Sequence, residues 1–266
     1  TRHRAGFAPG FTEIASPDER DHPTGIGLGV LTLGAGETRS ETCATETAFL
    51  LMSGRASLSF GNRQIEVARA SLFDEGPACV HLPGSSELRI TAHAPSEFTV
   101  YRSANRKPFA PSAHLPGDVA DEHRGLGQVG NACLRLVRTI FDRSNADANA
   151  ELVLGEVVTL PGRWSSYPPH HHPQPEIYHY RFTHPQGYGH AELGEHVLKV
   201  RNFDTVKILA GDDHAQCAAP GYAMYYAWVI RHLPANPYTV PEFTAEHRWT
   251  MDKAAAIWRP KGLEDV

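Results

Sequence analysis

The sequence predicts an all-β protein, folded as two β-barrels in tandem. Three observations carry this. Short apolar, β-branched runs recur between turn residues, helical periodicity is weak, and the two halves of the chain read alike. Pro and Gly number 20 and 23 among 266 residues and are spread along the whole chain. Between them lie Gly29–Leu33, Phe49–Met52, Ala56–Phe60, Glu87–Thr91 and Phe98–Tyr101 in the first half. In the second half lie Leu152–Thr159, Glu176–Phe182, Val197–Val200, Thr205–Leu209 and Tyr222–Ile230. Strands of this length bounded by turn residues are the mark of a sandwich or barrel. Only two short stretches read as helix, Ala132–Phe141 and Met251–Trp258.

The halves share a sequence of landmarks, which points to duplication. The first reads GVLTLGAGETRSET, AFLLMSG and ACVHLPGSSELRITA; the second reads GEVVTLPGRWSSYPP, EIYHYRF and TVKILAGDDHAQCAA. Placing Leu82-Pro83-Gly84 on Leu209-Ala210-Gly211 puts Glu87 opposite His214. The segment Ser103–Gly130 reads as an extended crossover between the two, with a boundary near residues 115 and 116. The expected units are therefore 1–115 and 116–266.

Composition narrows the function classes. The chain is 41% hydrophobic and 21% charged, ordinary for a globular protein, with a net charge of −5. Basic residues are dispersed, which speaks against nucleic acid as a partner. No apolar run approaches the ~18–20 residues of a spanning helix, so no membrane partner is expected. Thr1-Arg2-His3-Arg4 lacks the apolar region of a signal peptide. Cys43, Cys79, Cys133 and Cys217 lie far apart and form no CxxC pair, so a reduced, cytoplasmic setting is the default expectation.

Sixteen histidines are many for this length, and the informative ones cluster in Tyr167-Pro168-Pro169-His170-His171-His172-Pro173-Gln174-Pro175-Glu176-Ile177-Tyr178. On an extended strand, side chains two apart share a face. His170 and His172 therefore point one way and His171 the other. Pro173 and Pro175 favour a turn that brings the Glu176 carboxylate back over the two imidazoles. His-x-His followed by Glu is the first half of the cupin metal pattern; the second half is a His on a later strand after a Gly turn. Gly211-Asp212-Asp213-His214 supplies it. Imidazoles with one carboxylate suit Zn, Mn, Fe, Ni or Co without choosing among them. The corresponding first-half stretch, Glu37–Phe49, has no histidine, so one divalent metal ion per chain is expected, in the second half.

On SSYPPHHH, EIYHYRF, PQGYGHA, the Gly-x-x-His turn and AAPGYAMYYAWVI, together with His123-Arg124-Gly125-Leu126-Gly127, AGET and LLMSGRASLSF, the chain resembles the 5-deoxyglucuronate isomerase family of inositol catabolism. That family is related to the 5-keto-4-deoxyuronate isomerases, and the likeness runs roughly from Gly27 to Trp258. It implies a bicupin, two tandem jelly-roll barrels with few short helices, and metal ligands at His170, His172, Glu176 and His214. It also implies aldose–ketose isomerisation of a deoxy uronic acid, 5-deoxy-D-glucuronate to 2-deoxy-5-keto-D-gluconate, by a homo-oligomer. One departure stands out: where the family carries a longer acidic insert between the His pair and the Glu, this chain has only Pro173-Gln174-Pro175.

Isomerisation moves a proton between adjacent carbons, so a general base must face the metal. The candidates are His190, Glu192, Tyr178 and Tyr226. By strand parity His190 and Glu192 share a face, as do Tyr178 and Glu176. A uronate also needs a cationic or amide clamp, for which Arg181 and Gln186 are the candidates, although Arg181 has opposite parity to Tyr178 and Tyr180. Lys199 and Lys207 are expected in solvent. The rival readings are an Fe(II) dioxygenase on the same ligands, an isomerase of a different sugar, and a non-catalytic sugar-binding bicupin. Oxygen consumption set against anaerobic isomerisation separates the first from an isomerase.

Overall fold

The structure, a computed structural model, describes residues 2–209 and 211–262. Nine strands form the first sheet: β1 (Gly10–Ala15), β2 (Ile26–Leu33), β3 (Thr38–Cys43), β4 (Thr47–Phe60), β5 (Arg63–Arg69), β6 (Cys79–Leu82), β7 (Ser86–Ala92), β8 (Ser96–Ser103) and β9 (Ser112–His114). Eleven follow: β10 (Glu122–Arg124), β11 (Arg135–Phe141), β12 (Leu152–Thr159), β13 (Trp164–His171), β14 (Glu176–Phe182), β15 (Tyr188–Leu193), β16 (His196–Arg201), β17 (Thr205–Ile208), β18 (His214–Ala218), β19 (Met224–Arg231) and β20 (Glu242–Phe243). These make a six-stranded sheet ordered β10-β11-β12-β19-β14-β17 and a five-stranded sheet ordered β16-β15-β18-β13-β20. The helical segments among the described residues are three short 3-10 turns, at Pro116–Asp118, Val129–Asn131 and Ala245–Met251. No helix is long and apolar enough to cross a membrane.

The pairing pattern repeats between the halves. The ladders β1–β2, β2–β8, β8–β4, β4–β6 and β3–β7 recur as β11–β12, β12–β19, β19–β14, β14–β17 and β13–β18. Even an irregularity recurs, since the register shifts between Glu13 and Ala15 opposite Gly29 and Leu28, and between Thr139 and Phe141 opposite Gly155 and Leu154. The halves differ in continuity. β4 runs unbroken through both Phe49–Met52 and Ala56–Phe60, whereas its counterpart is divided into β14 and β15.

The Glu87–His214 match does not survive in the structure. Glu87 lies on the exposed outer face of β7, while His214 is buried and points inward. Facing residues and ladders together place Leu88 at the His214 position, and Glu41, Cys43 and Thr47 at those of His170, His172 and Glu176. Ala210, part of that comparison, lies outside the described residues.

Strands β12, β14 and β19 of the six-stranded sheet are buried on both faces, and β12 and β19 accordingly read as nearly continuous apolar runs. Leu152, Leu154, Val158, Ile177, Tyr225, Ala227 and Val229 share a core with Ile26, Leu28, Leu50, Met52 and Tyr101 of the first sheet. The alternate residues Val153, Val157, Glu176, Tyr178, Tyr226, Trp228 and Ile230 line a cavity on the other side.

Ala132–Phe141 is not a helix but, from Arg135 on, the strand β11. Arg135 and Arg138 imitate the polar spacing of a solvent-facing helix, yet Arg138 is buried, with a carboxylate partner in the shared core. Met251–Trp258 is not a helix either. The 3-10 turn ends at Met251, and Trp258 is 85% exposed, so no packing rewards helix formation beyond it.

Buried charge joins the two halves. Glu156 accepts Arg69 Nη1 and Nη2 at 3.0 and 2.6 Å, Arg138 Nη1 at 2.9 Å and the Tyr225 hydroxyl at 2.9 Å. Arg138 also pairs with Asp121 and donates to the carbonyls of Leu72 and Glu75. A second crossing is made by Glu46, whose carboxylate accepts the backbone N–H of Glu151 and Leu152 together with His81, Ser103 and Asn105. Removing one member of a buried ion cluster leaves its partners charged and unpaired, costing about 3–5 kcal/mol. Glu156→Gln should lose that much in urea unfolding, while Arg39→Ala, which breaks the exposed Arg39–Glu41 pair, should lose less than about 1 kcal/mol.

Candidate metal centre and its cavity

β13 carries Ser166 and His170 into the cavity, and the turn after it carries His172. His170 lies directly opposite His214 in the β13–β18 ladder, so the start of β18 sits against the end of β13. Glu176 opens β14, returned by Pro173-Gln174-Pro175. His172, Glu176 and His214 are 5%, 3% and 0% exposed. Their ligand-type atoms all lie within 4.8 Å of one another, a group that could hold a metal ion. Glu176 Oε2 stands 3.3 Å from His172 Nε2 and 3.5 Å from His214 Nε2.

The donor set fits a cation. Glu176 Oε2 and His214 Nε2 are buried without a hydrogen-bond partner, an arrangement that costs free energy unless something between them is coordinated. Each imidazole is oriented through Nδ1: His170 to the Pro168 carbonyl at 3.2 Å, His172 to that of Gln174 at 2.7 Å, His214 to that of Asp212 at 3.1 Å. A carbonyl only accepts, so each Nδ1 carries the proton and each Nε2 keeps a lone pair. Burial pulls His214 down to about 4, with neighbouring His170 adding to the effect. Burial likewise takes His170 to about 4, which keeps both rings neutral and able to ligate at neutral pH.

Of the four expected ligands, three form the compact group. His170 stands beside it, with its ring centroid 4.4 Å from that of His214 and 6.5 Å from that of His172. His171 faces away and bonds Asp213 at 2.7 Å. The Pro173–Pro175 turn has a structural use. Its Gln174 carbonyl orients His172, and the Gln174 side chain bonds the Asn236 carbonyl at 2.8 Å, anchoring the loop that brings Tyr238 to 4.9 Å from the His172 ring.

The cavity measures about 340 Å³. Tyr178 and Tyr226 line it with rings stacked at 4.6 Å, and Ser166 Oγ bridges their hydroxyls at 3.2 and 3.1 Å. Burial pushes Tyr178 well above the usual phenol range and Tyr226 up to about 12, so both hydroxyls keep their protons. Trp228 lies flat across Gly155, where a Cβ would come within 2.2 Å of the indole.

His190 and Glu192 are corrected. They do share a face of β15, but Gly189 and Ala191 take the inward one and His190 is exposed. Glu192 belongs to a separate hollow on the outer side, with Trp164, Tyr167 and His247. Arg181 is also corrected. Its parity turns it toward the first half, where it bonds Glu97 at 2.6 Å, and its guanidinium also lies over Phe203 of the second half at 4.3 Å. Gln186 is exposed in its turn, away from the cavity. Lys207 is paired with Glu19 rather than free in solvent. The cationic groups that do reach the cavity are Arg124 and Arg135. Arg124 sits in the quoted His123–Gly127 segment, whereas Arg135 lies in the stretch misread as helix.

Known proteins resemble this chain in sequence and in fold. A 5-deoxy-glucuronate isomerase from Geobacillus kaustophilus is 29% identical over 253 residues, spanning 87% of each chain. One from Shouchella clausii is 30% identical over 203 residues, covering 70% of this chain and 71% of its own. The crystal structure of an IolB-like protein from Salmonella typhimurium superposes with a TM-score of 0.81 at 26% identity, over 92% of this chain and 97% of that one. A cupin 2 conserved barrel protein from Leptotrichia buccalis shares the fold at 12% identity and a TM-score of 0.52, covering 85% and 93% of the two chains. Residues 5–250 match the KduI/IolB family, and the chain belongs to it.

Proposed function

We propose that this protein is a metal-dependent aldose–ketose isomerase that converts 5-deoxy-D-glucuronate to 2-deoxy-5-keto-D-gluconate, the activity for which its relatives are named. The observation that carries the reading is that Glu176 Oε2 and His214 Nε2 lie together, buried and without hydrogen-bond partners, beside a cavity roomy enough for a sugar acid. His172, Glu176 and His214 would hold one divalent ion, with His170 as the fourth ligand; Zn, Mn, Fe, Ni and Co all suit these donors. When bound, such an ion supplies Lewis-acid polarisation of a carbonyl and its neighbouring hydroxyl.

The rest falls to the chain's own groups. The reaction takes a proton from the hydroxyl-bearing carbon and returns it to the former carbonyl carbon. Tyr178 Oη and Tyr226 Oη, joined through Ser166 Oγ, form a line of exchangeable protons beside the donors. They hydrogen-bond the substrate oxygens as charge develops there, a contribution of roughly 10²–10³-fold per donor. The stacked phenols and Trp228 keep water from the reacting carbons.

The site belongs to a C-terminal unit, 116–266, and the N-terminal unit, 1–115, serves packing and assembly. Leu88, Cys43 and Thr47 at the first-half donor positions support this. β16 is an edge strand with Val197 61% and Leu198 41% exposed, which supports self-association.

His172→Ala should lose both bound metal, read by elemental analysis, and isomerase turnover, by at least ~10²-fold. A variant that kept both would remove the site assignment. NMR of a uronate, deoxy-uronate and aldose panel should show anaerobic conversion of a uronate; conversion of none would end the isomerase reading. By contrast, His190→Ala and Glu192→Gln, on the outer face of β15, should stay within about two-fold of wild-type kcat/KM.

A further inference from the structure

We infer that Arg135, with Arg124 beside it, clamps the substrate's carboxylate and so selects a sugar acid over a neutral sugar. The inference rests on the isomerase reading above, since it names the group that fixes the far end of that substrate.

The β10–β11 ladder sets Arg124 directly opposite Arg135, and both line the cavity. Like charges placed directly opposite on adjacent strands repel, and the repulsion is relieved when an anion lies between them. Neither guanidinium is neutralised inside the cavity. Arg124 pairs with Glu122 at 2.8 Å on the exposed rim. Among the described residues, Arg135 makes one hydrogen bond, from Nη1 to the Cys133 carbonyl at 2.9 Å, and no ion pair. The other deeply placed arginines differ: Arg69 and Arg138 meet Glu156, and Arg181 meets Glu97. A guanidinium has five N–H donors in a fork that matches a carboxylate, so Arg135 keeps most of its donors for a ligand.

The surroundings hold it in place. Gly125, at φ +79°, follows Arg124 in the turn, and a Cβ there would come within 2.3 Å of the Cys133 oxygen and 2.9 Å of Arg135 Nη1. The turn can therefore close on the guanidinium only with glycine. Burial and the neighbouring Arg124 both disfavour the Arg135 charge, which an anion would relieve. Arg135 lines the same cavity as His170, Glu176 and Tyr226, so the clamp, the donor cluster and the phenol pair face one volume. A sugar acid bound in this cavity would set its carboxylate on the arginines and its carbonyl end at the donors.

The test is calorimetric titration of the metal-loaded protein with D-glucuronate, D-glucose and glucose 6-phosphate, alongside uronate kinetics. Wild type should bind glucuronate in preference to both others. Arg135→Met should weaken glucuronate binding, and raise KM for the converted uronate, by ~10–100-fold. Its affinity for glucose, metal content and Tm should be unchanged. Arg135→Lys, which keeps the charge but loses the fork, should fall between, and it serves as the variant if Arg135→Met does not fold. Unchanged glucuronate affinity in both variants overturns the clamp, as does wild type binding glucose equally well or glucose 6-phosphate more tightly. Arg135-dependent glucuronate binding without conversion of any uronate would uphold the clamp and remove the isomerase reading. Conversion of a uronate with wild-type KM in Arg135→Met would do the reverse.

Discussion

The site depends on a sheet whose central strands are buried on both faces and must therefore be held in one register. Glu156 does much of the holding. Its carboxylate is buried between Arg69 of the first half and Arg138 of the second, with Tyr225 on the same oxygens. Burying three charges together adds little net stability. Its effect is on alternatives, because a slip of one residue turns every side chain of a strand to the opposite face. A slip in β12 would put Glu156 in the cavity and leave two guanidinium groups unpaired among apolar side chains. In β14 the same slip would exchange Ile177 for Glu176 and Tyr178. The charges that join the halves thus fix which side chains reach the cavity.

With register settled, orientation comes from the main chain. Three imidazoles are turned by the carbonyls of Pro168, Gln174 and Asp212, all within two residues of the ring they orient. Short-range bonds of this kind cost little chain entropy, and they fix the tautomer as well as the angle. The compressed Pro173-Gln174-Pro175 turn belongs to this scheme. It brings Glu176 back to the imidazoles, and Gln174 contributes a carbonyl to His172 and an amide to the loop bearing Tyr238.

Much of this was legible in the chain because it follows from periodicity. The strands at Leu152–Thr159 and Glu176–Phe182 have the bounds expected of them, since turn residues punctuate the chain around each. The separation of His171 from His170 and His172 needed only the two-residue repeat. That repeat says which residues share a face but not which face is inside, and so His190 and Glu192 were misplaced. The inward side of β15 belongs to Gly189 and Ala191, because a Cβ at Gly189 would come within 2.7 Å of Met224 Sδ. Arg181 was misplaced through long-range pairing, since its partner Glu97 lies in the other half of the chain. Arg135 and Tyr238 were missed for the same reason: a hairpin and a loop far from the histidine motif deliver them.

The two halves also show what turns a shared topology into a site. Inward positions of the first half carry Phe49, Leu51, Leu58, Leu88 and Phe98, which fill its interior. At matching second-half positions Tyr178 and Tyr226 line open volume, and His214 stands buried beside Glu176. Each large apolar side chain buried in the first half contributes roughly 1.5–3 kcal/mol, stability that a polar cavity forgoes. Residues Ile26, Leu28, Leu50 and Met52 of the first sheet pack directly on the back of the cavity wall, against Leu154, Ile177 and Val229. The filled half thus closes one face of the sheet whose other face lines the cavity. What distinguishes the two copies is a few inward side chains, since the strand ladders are common to both.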